Sequence, residues 1–547
     1  MKINKSYIQT LIFIFVYLFA IYFWSQPYQV RKLPYGEYDA MSHFEVADYM
    51  AYNDKSIVKL PPYIDLRYGL DNKFKPHTLW YPPTFHASLG VIEVIGGERV
   101  LPVFLLNTIM ATFVIVTVYF VINSLFGFLP AILSSLLIIF SPRDYMPYIW
   151  GQWPERFGYA FVPIVLYCFY KYFTTYSKES SKPAYLYLTS LFLIINLLVH
   201  PLVFFHSAFG LLFLYAFLAI KQKKLALNWK HIFVSALIFL ALFMLFPYQT
   251  FNLFPSIGRE SIVKEGSQRV EQKGIDLSRL FHWSFDPKYF EGSVPASYFS
   301  FSQMHGMWTL PFLLLGILFL LLRRTEGSLF LLAWLVSLYF VLHRDLAGIT
   351  FFLHRSLSAT QHIFGPITTI GAVYLASFIK LPTNYARYIG YAGAAFLVYM
   401  ALSVNMASAS KMLNKNVYSP ETLDGFFVSL NSAEYGAAQW VLDNTPGSSN
   451  ITVLGIPSSD NYLSATSKKI RWFAAVSQRV TRFYDLRPDK EAILKSHDWY
   501  IMLDYTMVGP LNDKDMFDQM QLFEQNNLAN HTLVYNKDNI RVYRSWA

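Results

Sequence analysis

Cysteine and charged residues are scarce in this sequence. Cys168 is the single cysteine among 547 residues, so an intramolecular disulfide cannot form and a disulfide-stapled secreted fold is excluded. Charged residues make up only 15% of the chain and apolar residues 54%, a balance that argues against a large water-soluble enzyme. Most of the chain is therefore expected to lie in a lipid bilayer.

Several common sequence motifs are also missing. The chain has no P-loop, no dinucleotide-binding glycine fingerprint, no HExxH zinc motif and no Gly-x-Ser-x-Gly nucleophile elbow. An ATP-driven pump is therefore not expected. The apolar stretches lack obvious central carboxylates, which gives little support to ion-coupled transport. The net charge of +10 is attributed to basic cytoplasmic loops and not to a nucleic-acid partner.

Long apolar runs are abundant, and a membrane-spanning helix needs about 20 such residues. The runs predict about eleven spans, near residues 8–25, 99–123, 127–141, 157–174, 185–200, 202–220, 231–249, 307–322, 328–343, 360–379 and 388–406. The first run lacks a small-x-small cleavage site, so it is expected to be a retained helix and not a signal peptide.

Basic residues predict the orientation of these spans. Clusters of lysine and arginine precede the first span and follow the fourth, sixth, eighth and tenth, so all of them fall on one side. Loops rich in lysine and arginine are cytoplasmic in membrane proteins. The sequence therefore predicts a multi-pass protein of the cell membrane with a cytoplasmic N-terminus. Its predicted external pieces are residues 26–98, 141–156, 250–306 and 407–547.

The last of these pieces is more polar than the rest of the chain. Residues 432–444 carry apolar positions at helical spacing and end at Asn444-Thr445-Pro446-Gly447, a stop signal. Short strands are predicted near 451–456, 499–503 and 540–543. We therefore predict a transmembrane domain over residues 1–406 and a small extracytoplasmic α/β domain over residues 407–547.

The first external loop opens with Glu37, Asp39 and His43. In a helix that begins near Asp39, the side chains of Asp39 and His43 lie one turn apart. A carboxylate beside an imidazole can accept a proton from a hydroxyl, so these three residues are candidate catalytic groups. A helix N-cap on a solvated interfacial helix explains Asp39 equally well without catalysis. The apolar face of this helix would consist of Ala40, Phe44 and Ala47.

Further along the same loop, Trp80 and His86 flank a Pro-Pro turn. Such a turn favours a segment folded back onto the membrane face, with Trp80 and His86 supporting the loop. A purely structural interface anchor is the alternative interpretation.

The second external loop is short and charged, with Arg143-Asp144 near its start and Glu155-Arg156 near its end. Charged groups where spans meet the interface should pair or face a cavity. Asp144 and Glu155, with Arg143, are therefore candidate substrate residues, and the two carboxylates are candidate metal ligands. Local neutralisation within each neighbouring pair is the open alternative.

His354 and Arg355 stand just before the tenth predicted span. The planar donor fork of arginine matches phosphate oxygens, so Arg355 is a candidate ligand of a lipid-linked phosphate. Snorkelling to lipid headgroups is the alternative. The stretch 471–479 mixes cations with aromatics, which fits either a surface that binds a sugar or an anion, or an ordinary domain surface.

Together these features resemble the GT-C superfamily of integral-membrane glycosyltransferases, which use polyprenyl-phosphate-linked sugars. The stretch Tyr38–Phe44 is similar to the first-loop acidic motif of that superfamily. Tyr81–His86 and Gly151–Glu155 look like segments of archaeal members that are distantly similar to oligosaccharyltransferase catalytic subunits and protein mannosyltransferases. His354-Arg355 followed by Gly365-Pro366 resembles its Arg…Pro stretch. The likeness in topology covers most of the chain, although these motifs are short.

The resemblance implies roles for several residues. Asp39 would be the catalytic carboxylate, Arg355 with His354 would bind the donor phosphate, and Asp144 and Glu155 would be the second-loop acidic residues. The Trp-Trp-Asp acceptor motif of oligosaccharyltransferases is absent from the sequence, which favours transfer of a single sugar over transfer of a whole glycan to asparagine.

The resulting prediction is a GT-C-like polytopic α-helical membrane enzyme with a small external α/β domain. It would transfer a sugar from a polyprenyl-phosphate donor, with inversion, to a hydroxyl of a glycan, glycolipid or protein on the extracytoplasmic face. No cofactor is predicted, and a divalent metal at Asp144 and Glu155 stays open. A transporter or lipid flippase with an external binding domain and a non-catalytic membrane scaffold are the rival hypotheses.

Overall fold

The structure is a computed structural model. It describes residues 5–36, 38–52, 56–61, 82–177, 181–247, 249, 301–343, 353–378, 383–413, 428–455, 460–485, 500–507 and 514–544. Of the predicted external loop 250–306, only residues 301–306 belong to this described part.

The described part of the chain up to residue 249 is almost entirely helical. Its helices are α1 Lys5–Trp24, α2 Gln26–Arg31, α3 Tyr38–Tyr52, α4 Thr84–Gly96, α5 Leu101–Phe126, α6 Phe128–Ile139, α7 Pro142–Trp150, α8 Trp153–Tyr159, α9 Phe161–Ser177, α10 Ala184–Val199, α11 Pro201–Gln222 and α12 Trp229–Phe243. The short strand β1, Tyr35–Gly36, precedes α3.

Further helices follow residue 300. They are α13 Phe301–His305, α14 Leu310–Arg323, α15 Glu326–Leu342, α16 Thr360–Val373, α17 Thr383–Met400, α18 Met406–Leu413, α19 Ser432–Asn444, α20 Asp460–Ser477 and α21 Lys514–Asn527. Short 3-10 helices occupy Met307–Thr309, Leu353–Ala359, Leu375–Phe378 and Tyr505–Met507.

Each of the eleven predicted spans overlaps a helix of the structure, although the bounds of several differ. Within the described residues, four helices are long and apolar enough to cross a membrane by length and composition: Ser6–Trp24, Leu101–Phe126, Pro201–Gln222 and Tyr385–Ser410. The fifth and sixth predicted spans, α10 and α11, are separate helices, because the chain is extended at His200 and Pro201 begins the next helix.

The boundary predicted at residue 407 lies inside a helix. α17 passes through a π-helical turn, Ala401–Asn405, directly into α18, which ends at Leu413. The boundary is predicted from the change to polar composition, and that change begins within α18, before the helix ends at Leu413.

The C-terminal part forms an α/β unit. Its strands are β3 Asn450–Gly455, β4 Val480–Asp485, β5 Tyr500–Asp504, β6 Thr532–Lys537 and β7 Ile540–Arg544. The sheet order is β4-β3-β5-β7-β6, in which β4, β3 and β5 are parallel, β7 is antiparallel to β5, and β6 and β7 form a hairpin. Asp538 and Asn539, both with positive φ, make the tight turn of that hairpin.

A second, two-stranded sheet joins the tail to the first loop. β2, Val428–Ser429, pairs antiparallel with β1, so that Tyr35 lies opposite Ser429. The helices of the first half and the α/β unit share one apolar core.

Candidate functional site

Helix α3 places Asp39 in its first turn. The predicted apolar face of this helix is confirmed, because Ala40, Phe44 and Ala47 are fully buried. The carboxylate of Asp39 accepts a hydrogen bond from the Arg355 guanidinium, with Oδ2 and Nη2 2.8 Å apart. The structure therefore brings together the two residues to which the resemblance assigns proton transfer and donor-phosphate binding.

Two glycines let the start of α3 pack closely against α7. Gly151 follows α7 with φ of 102°, and a Cβ there would collide with the backbone of Ala40. Gly36 has φ of 124°, and a Cβ there would meet the Ala40 side chain and the Ile149 carbonyl. A residue other than glycine at either position would displace the turn that carries Asp39.

Arg355 links Asp39 to a carboxylate of the second loop. It lies on the 3-10 helix Leu353–Ala359, and its Nη1 is 3.9 Å from Oε2 of Glu155. The Tyr159 hydroxyl donates to Oε1 of Glu155 at 3.1 Å. Burial raises the pKa of Glu155, and the charge of Arg355 opposes that rise. Arg355 therefore lies between two carboxylates.

Asp144 lies in a separate, fully buried ion-pair cluster. Its Oδ1 accepts hydrogen bonds from Nη2 of Arg156 and, at 2.6 Å, from Nε2 of His362 when that nitrogen is protonated. Burial alone would raise the pKa of Asp144, but His362 and Arg156 lower it to about 2. Arg143 is also buried, and burial lowers its pKa to about 10 against the opposing influence of Glu155.

This arrangement corrects one sequence interpretation. Neutralisation between the neighbours Glu155 and Arg156 does not describe the site, since Arg156 binds Asp144 and Glu155 faces Arg355 and Tyr159. The local pairing fails because the two neighbours point to different partners from the short helix α8.

His43 and His86 meet beside Asp39. Nδ1 of His43 and Nε2 of His86 are 2.8 Å apart, so one ring donates a hydrogen bond to the other. Burial lowers the pKa of His43 to about 3, and the charge of Arg355 contributes to the shift. The imidazole of His43 is therefore neutral at physiological pH and brings no positive charge to the site.

Three predicted residues cannot be placed. Glu37 and Trp80 lie outside the described residues, and so does the side chain of His354, whose backbone belongs to the 3-10 helix before α16. Among the described residues, no group of three or more His, Cys, Asp or Glu side chains has a geometry that could hold a metal ion. Asp144 and Glu155 each have arginine as a neighbour.

Sequence reasoning missed two participants in the site. His362, within the tenth predicted span, binds Asp144, and Tyr159 binds Glu155. A histidine inside an apolar span is a recognised signal of function, so His362 was open to detection. Nothing in the local sequence distinguishes Tyr159 among the chain's 39 tyrosines.

The stretch 471–479 is not the surface that its composition suggested. Arg471, Trp472 and Phe473 are buried, with exposures of 4%, 0% and 1%. Arg471 and Trp472 pack against the first loop, and all three side chains are inaccessible to a sugar or anion in solution.

A cavity of about 400 Å³ lies away from this site, between α21 and the strands β6 and β7. Glu524 in its wall accepts hydrogen bonds from Arg541, Tyr505 and Tyr543. These groups already engage its carboxylate, so we assign no chemistry to this cavity.

Comparison with solved structures gives the fold. The crystal structure of ArnT from Cupriavidus metallidurans bound to undecaprenyl phosphate is similar over 98% of both chains, with 11% identity and a TM-score of 0.52. The apo structure of the same protein matches with 9% identity and a TM-score of 0.53, over 98% of this chain and 97% of that one.

The oligosaccharyltransferase of Archaeoglobus fulgidus, in complex with zinc and sulfate, matches with 11% identity and a TM-score of 0.49, over 89% of this chain and 68% of that one. No curated protein matches the sequence. A family model described as "Family of unknown function (DUF6541)" matches residues 7–352. Since that match spans more than half of the chain, this protein, which has several helices long and apolar enough to cross a membrane, belongs to the DUF6541 family, and its fold is similar to that of ArnT.

Proposed function

We propose that this protein is a membrane glycosyltransferase that moves one sugar from a polyprenyl-phosphate donor to an acceptor hydroxyl. The acceptor is a glycan, a glycolipid or a protein on the extracytoplasmic face. The observation that carries the proposal is the 2.8 Å contact between Asp39 and Arg355, which joins a candidate base to a candidate phosphate ligand. The fold shared with ArnT, whose crystal structure contains undecaprenyl phosphate, supports the class of donor.

Exposure supports Asp39 and Arg355 as the groups that meet substrate. Their side chains are 31% and 20% exposed, whereas those of Glu155 and Asp144 are 1% and 0% exposed. A donor phosphate can reach Arg355 without dismantling the buried cluster. We assign the buried carboxylates to holding Arg355 and the second loop in place.

The proposed reaction is a single displacement. Asp39 accepts the proton of the acceptor hydroxyl while the hydroxyl oxygen attacks the anomeric carbon. The bond between that carbon and the phosphate oxygen breaks, and the oxygen keeps the electron pair. Arg355 stabilises the negative charge on the departing polyprenyl phosphate. Attack from the side opposite the leaving phosphate inverts the anomeric configuration.

The positive charge at Arg355 favours a donor with a single phosphate. In the structure its guanidinium faces Asp39 and Glu155. A phosphate that binds Arg355 competes with Asp39 for the same guanidinium and frees the carboxylate to accept a proton. Among the described residues, the other arginines near the site, Arg143 and Arg156, are 2% and 0% exposed. The accessible positive charge of this described part therefore matches one phosphate better than two.

The proposed topology places this site at the outer leaflet. We propose about eleven spans, a cytoplasmic N-terminus and an extracytoplasmic α/β domain over residues 407–547. The polyprenyl chain then lies in the bilayer while its phosphate sits at the level of Arg355.

Release of free polyprenyl phosphate distinguishes a glycosyltransferase from a flippase and from a non-catalytic scaffold. Purified protein in lipid nanodiscs is incubated with a panel of polyprenyl-phosphate sugars, with and without an acceptor fraction, and free polyprenyl phosphate is measured. A glycosyltransferase releases it in an acceptor-dependent way. A flippase moves the labelled lipid across the membrane of a proteoliposome without releasing polyprenyl phosphate. A scaffold neither moves the lipid nor releases polyprenyl phosphate. Absence of release across the panel would contradict the proposal.

A further inference from the structure

The helix that carries Asp39 is held from its other side by the C-terminal part of the chain. Nη2 of Arg471, on α20, donates a hydrogen bond to Oγ of Ser42 at 2.6 Å. The same nitrogen lies 3.8 Å from Oε2 of Glu45. Ser42 and Glu45 lie on the side of α3 that faces α20, whereas Asp39 contacts Arg355.

The residue after Arg471 fixes the backbone that enters this helix. The indole N–H of Trp472 donates to the carbonyl oxygen of Gly36 at 3.2 Å. Trp472 is fully buried, and its ring centroid lies 5.8 Å from that of Phe44. The β1–β2 pairing, with Gly36 opposite Val428, holds the same backbone from the tail.

The far end of α3 is tied to the same segment. Arg99 makes a two-pronged ion pair with Asp48, at 2.6 and 2.8 Å, and donates to the carbonyl of Val476 at 3.0 Å. Gln478 donates to Oδ2 of Asp48 at 2.5 Å. The C-terminal segment therefore contacts α3 along most of its length.

Burial makes the Arg471 contact sensitive to geometry. The side chains of Arg471 and Glu45 are 4% and 0% exposed. A buried guanidinium needs its hydrogen-bond and charge partners in fixed places, because unpaired charge is costly away from water. A shift of α3 relative to α20 would therefore break buried polar contacts before it moved Asp39 far.

We propose that Arg471 is a positioning residue for sugar transfer, which acts by holding α3 so that Asp39 faces Arg355 and the acceptor. The inference rests on the reaction proposed above. It assigns to the α/β unit a direct part in the geometry of the site, through α20. A misplacement of about 1 Å in a reacting group can lower a rate by about 100-fold.

The test uses the full-length protein in nanodiscs and compares two buried arginines. Arg471→Met removes the contact with Ser42 and Glu45, and Arg471→Lys restores the charge. The matched control is Arg479→Met, because Arg479 is 6% exposed and donates to Thr445 and to the carbonyl of Leu442 within the C-terminal part. For each variant, kcat, the KM for the donor and amide hydrogen exchange of residues 38–52 are measured.

We expect Arg471→Met to lower kcat by about 100-fold, to leave the KM for the donor nearly unchanged, and to speed amide exchange in α3. Arg471→Lys should recover part of the kcat. Arg479→Met should lower the melting temperature and keep both kcat and the exchange of α3. An unchanged kcat in folded Arg471→Met, or an equal loss in Arg479→Met, would overturn the proposal.

Two cases need a further measurement: an Arg471→Met variant that does not fold, and a wild-type protein that transfers no sugar. If Arg471→Met does not fold, Trp472→Phe removes the hydrogen bond to Gly36 and keeps an aromatic ring. It should lower kcat and speed exchange in α3, and no change in either would overturn the proposal. If the wild-type protein transfers no sugar, the proposed function fails, while amide exchange still decides whether Arg471 holds α3.

Discussion

Asp39 and Arg355 form an ion pair at 2.8 Å although 316 positions separate them in the chain. In this pair the guanidinium that would bind the donor phosphate is hydrogen-bonded to the carboxylate that would take the proton. Asp39 is therefore not free to act as a base while the pair is intact. Donor binding would redirect Arg355 to phosphate and release Asp39.

Replacement of Asp39 by asparagine tests the role of the carboxylate. Asp39→Asn keeps the size of the side chain and removes its ability to take a proton. A positioned general base contributes about 100- to 10,000-fold to a rate, so kcat should fall by that amount. The melting temperature should change little. The control is Asp443→Asn, which removes a carboxylate from the exposed side of α19; it should retain full activity.

Replacement of Arg355 tests donor binding. Arg355→Gln should raise the KM for the polyprenyl-phosphate sugar by about 10- to 150-fold, because a hydrogen bond to a charged group contributes about 1.5–3 kcal/mol. Arg355→Lys should recover little of this, since an ammonium lacks the planar fork that fits phosphate. Steady-state kinetics over a range of donor concentrations gives the measurement. Unchanged KM in both variants would remove Arg355 from phosphate binding.

Gly151 gives a test of how Asp39 is held. Gly151→Ala forces a Cβ against the backbone of Ala40 and should lower kcat strongly. Gly97→Ala is the matched control, because Gly97 also has positive φ, 68°, but no atom lies within 4 Å of a Cβ there. Both variants carry the backbone strain of alanine in the left-handed region. Equal effects on kcat would show that strain, and not the contact with Ala40, matters.

The buried cluster around Asp144 should matter for stability. Asp144→Asn leaves Arg156 without its buried counter-charge. Breaking a buried ion pair costs about 3–5 kcal/mol, so the melting temperature in detergent should fall clearly. Asp443→Asn again supplies the exposed control. A melting temperature equal to that of the wild type would mean that Asp144 and Arg156 do not depend on each other as the structure indicates.

Asp504, at the end of β5, should give the protein a pH-dependent stability. Burial, together with the nearby Glu434, raises the pKa of Asp504 from 3.8 to about 7. The folded state therefore binds this proton more tightly than the unfolded state, so stability should fall as the pH rises from about 4 to about 7 and change little above. Asp504→Asn should remove this part of the fall. Parallel melting-temperature curves for wild type and variant between pH 4.5 and 8 would contradict the shift.

Local sequence patterns were sufficient for much of the fold. The helix predicted over 432–444 is α19, and the structure adds a capping box at its start, in which Asn431 and Glu434 exchange hydrogen bonds. The strands predicted near 451 and 540 are β3 and β7. Such elements follow from apolar periodicity and stop signals, which are properties of neighbouring residues.

Contacts between residues far apart in the chain could not be predicted from these local patterns. Arg471 pairs with Ser42 across 429 positions, and Asp144 pairs with His362 across 218. The burial of Arg471 and Trp472 depends on where α20 packs, and the composition of their own segment suggested an accessible surface instead. The roles of Asp39 and Arg355 come from the resemblance to the GT-C superfamily and not from the spacing of residues in the sequence. Their catalytic roles therefore stay predictions.

A structure of the protein with undecaprenyl phosphate bound would show whether Arg355 is the phosphate ligand. We expect a phosphate oxygen within about 3 Å of the Arg355 guanidinium, the usual distance of a charge-assisted hydrogen bond. We also expect the Asp39 carboxylate to have separated from Arg355 and to face the space that the sugar and the acceptor would occupy. A phosphate bound elsewhere, with the Asp39–Arg355 pair intact, would contradict this expectation.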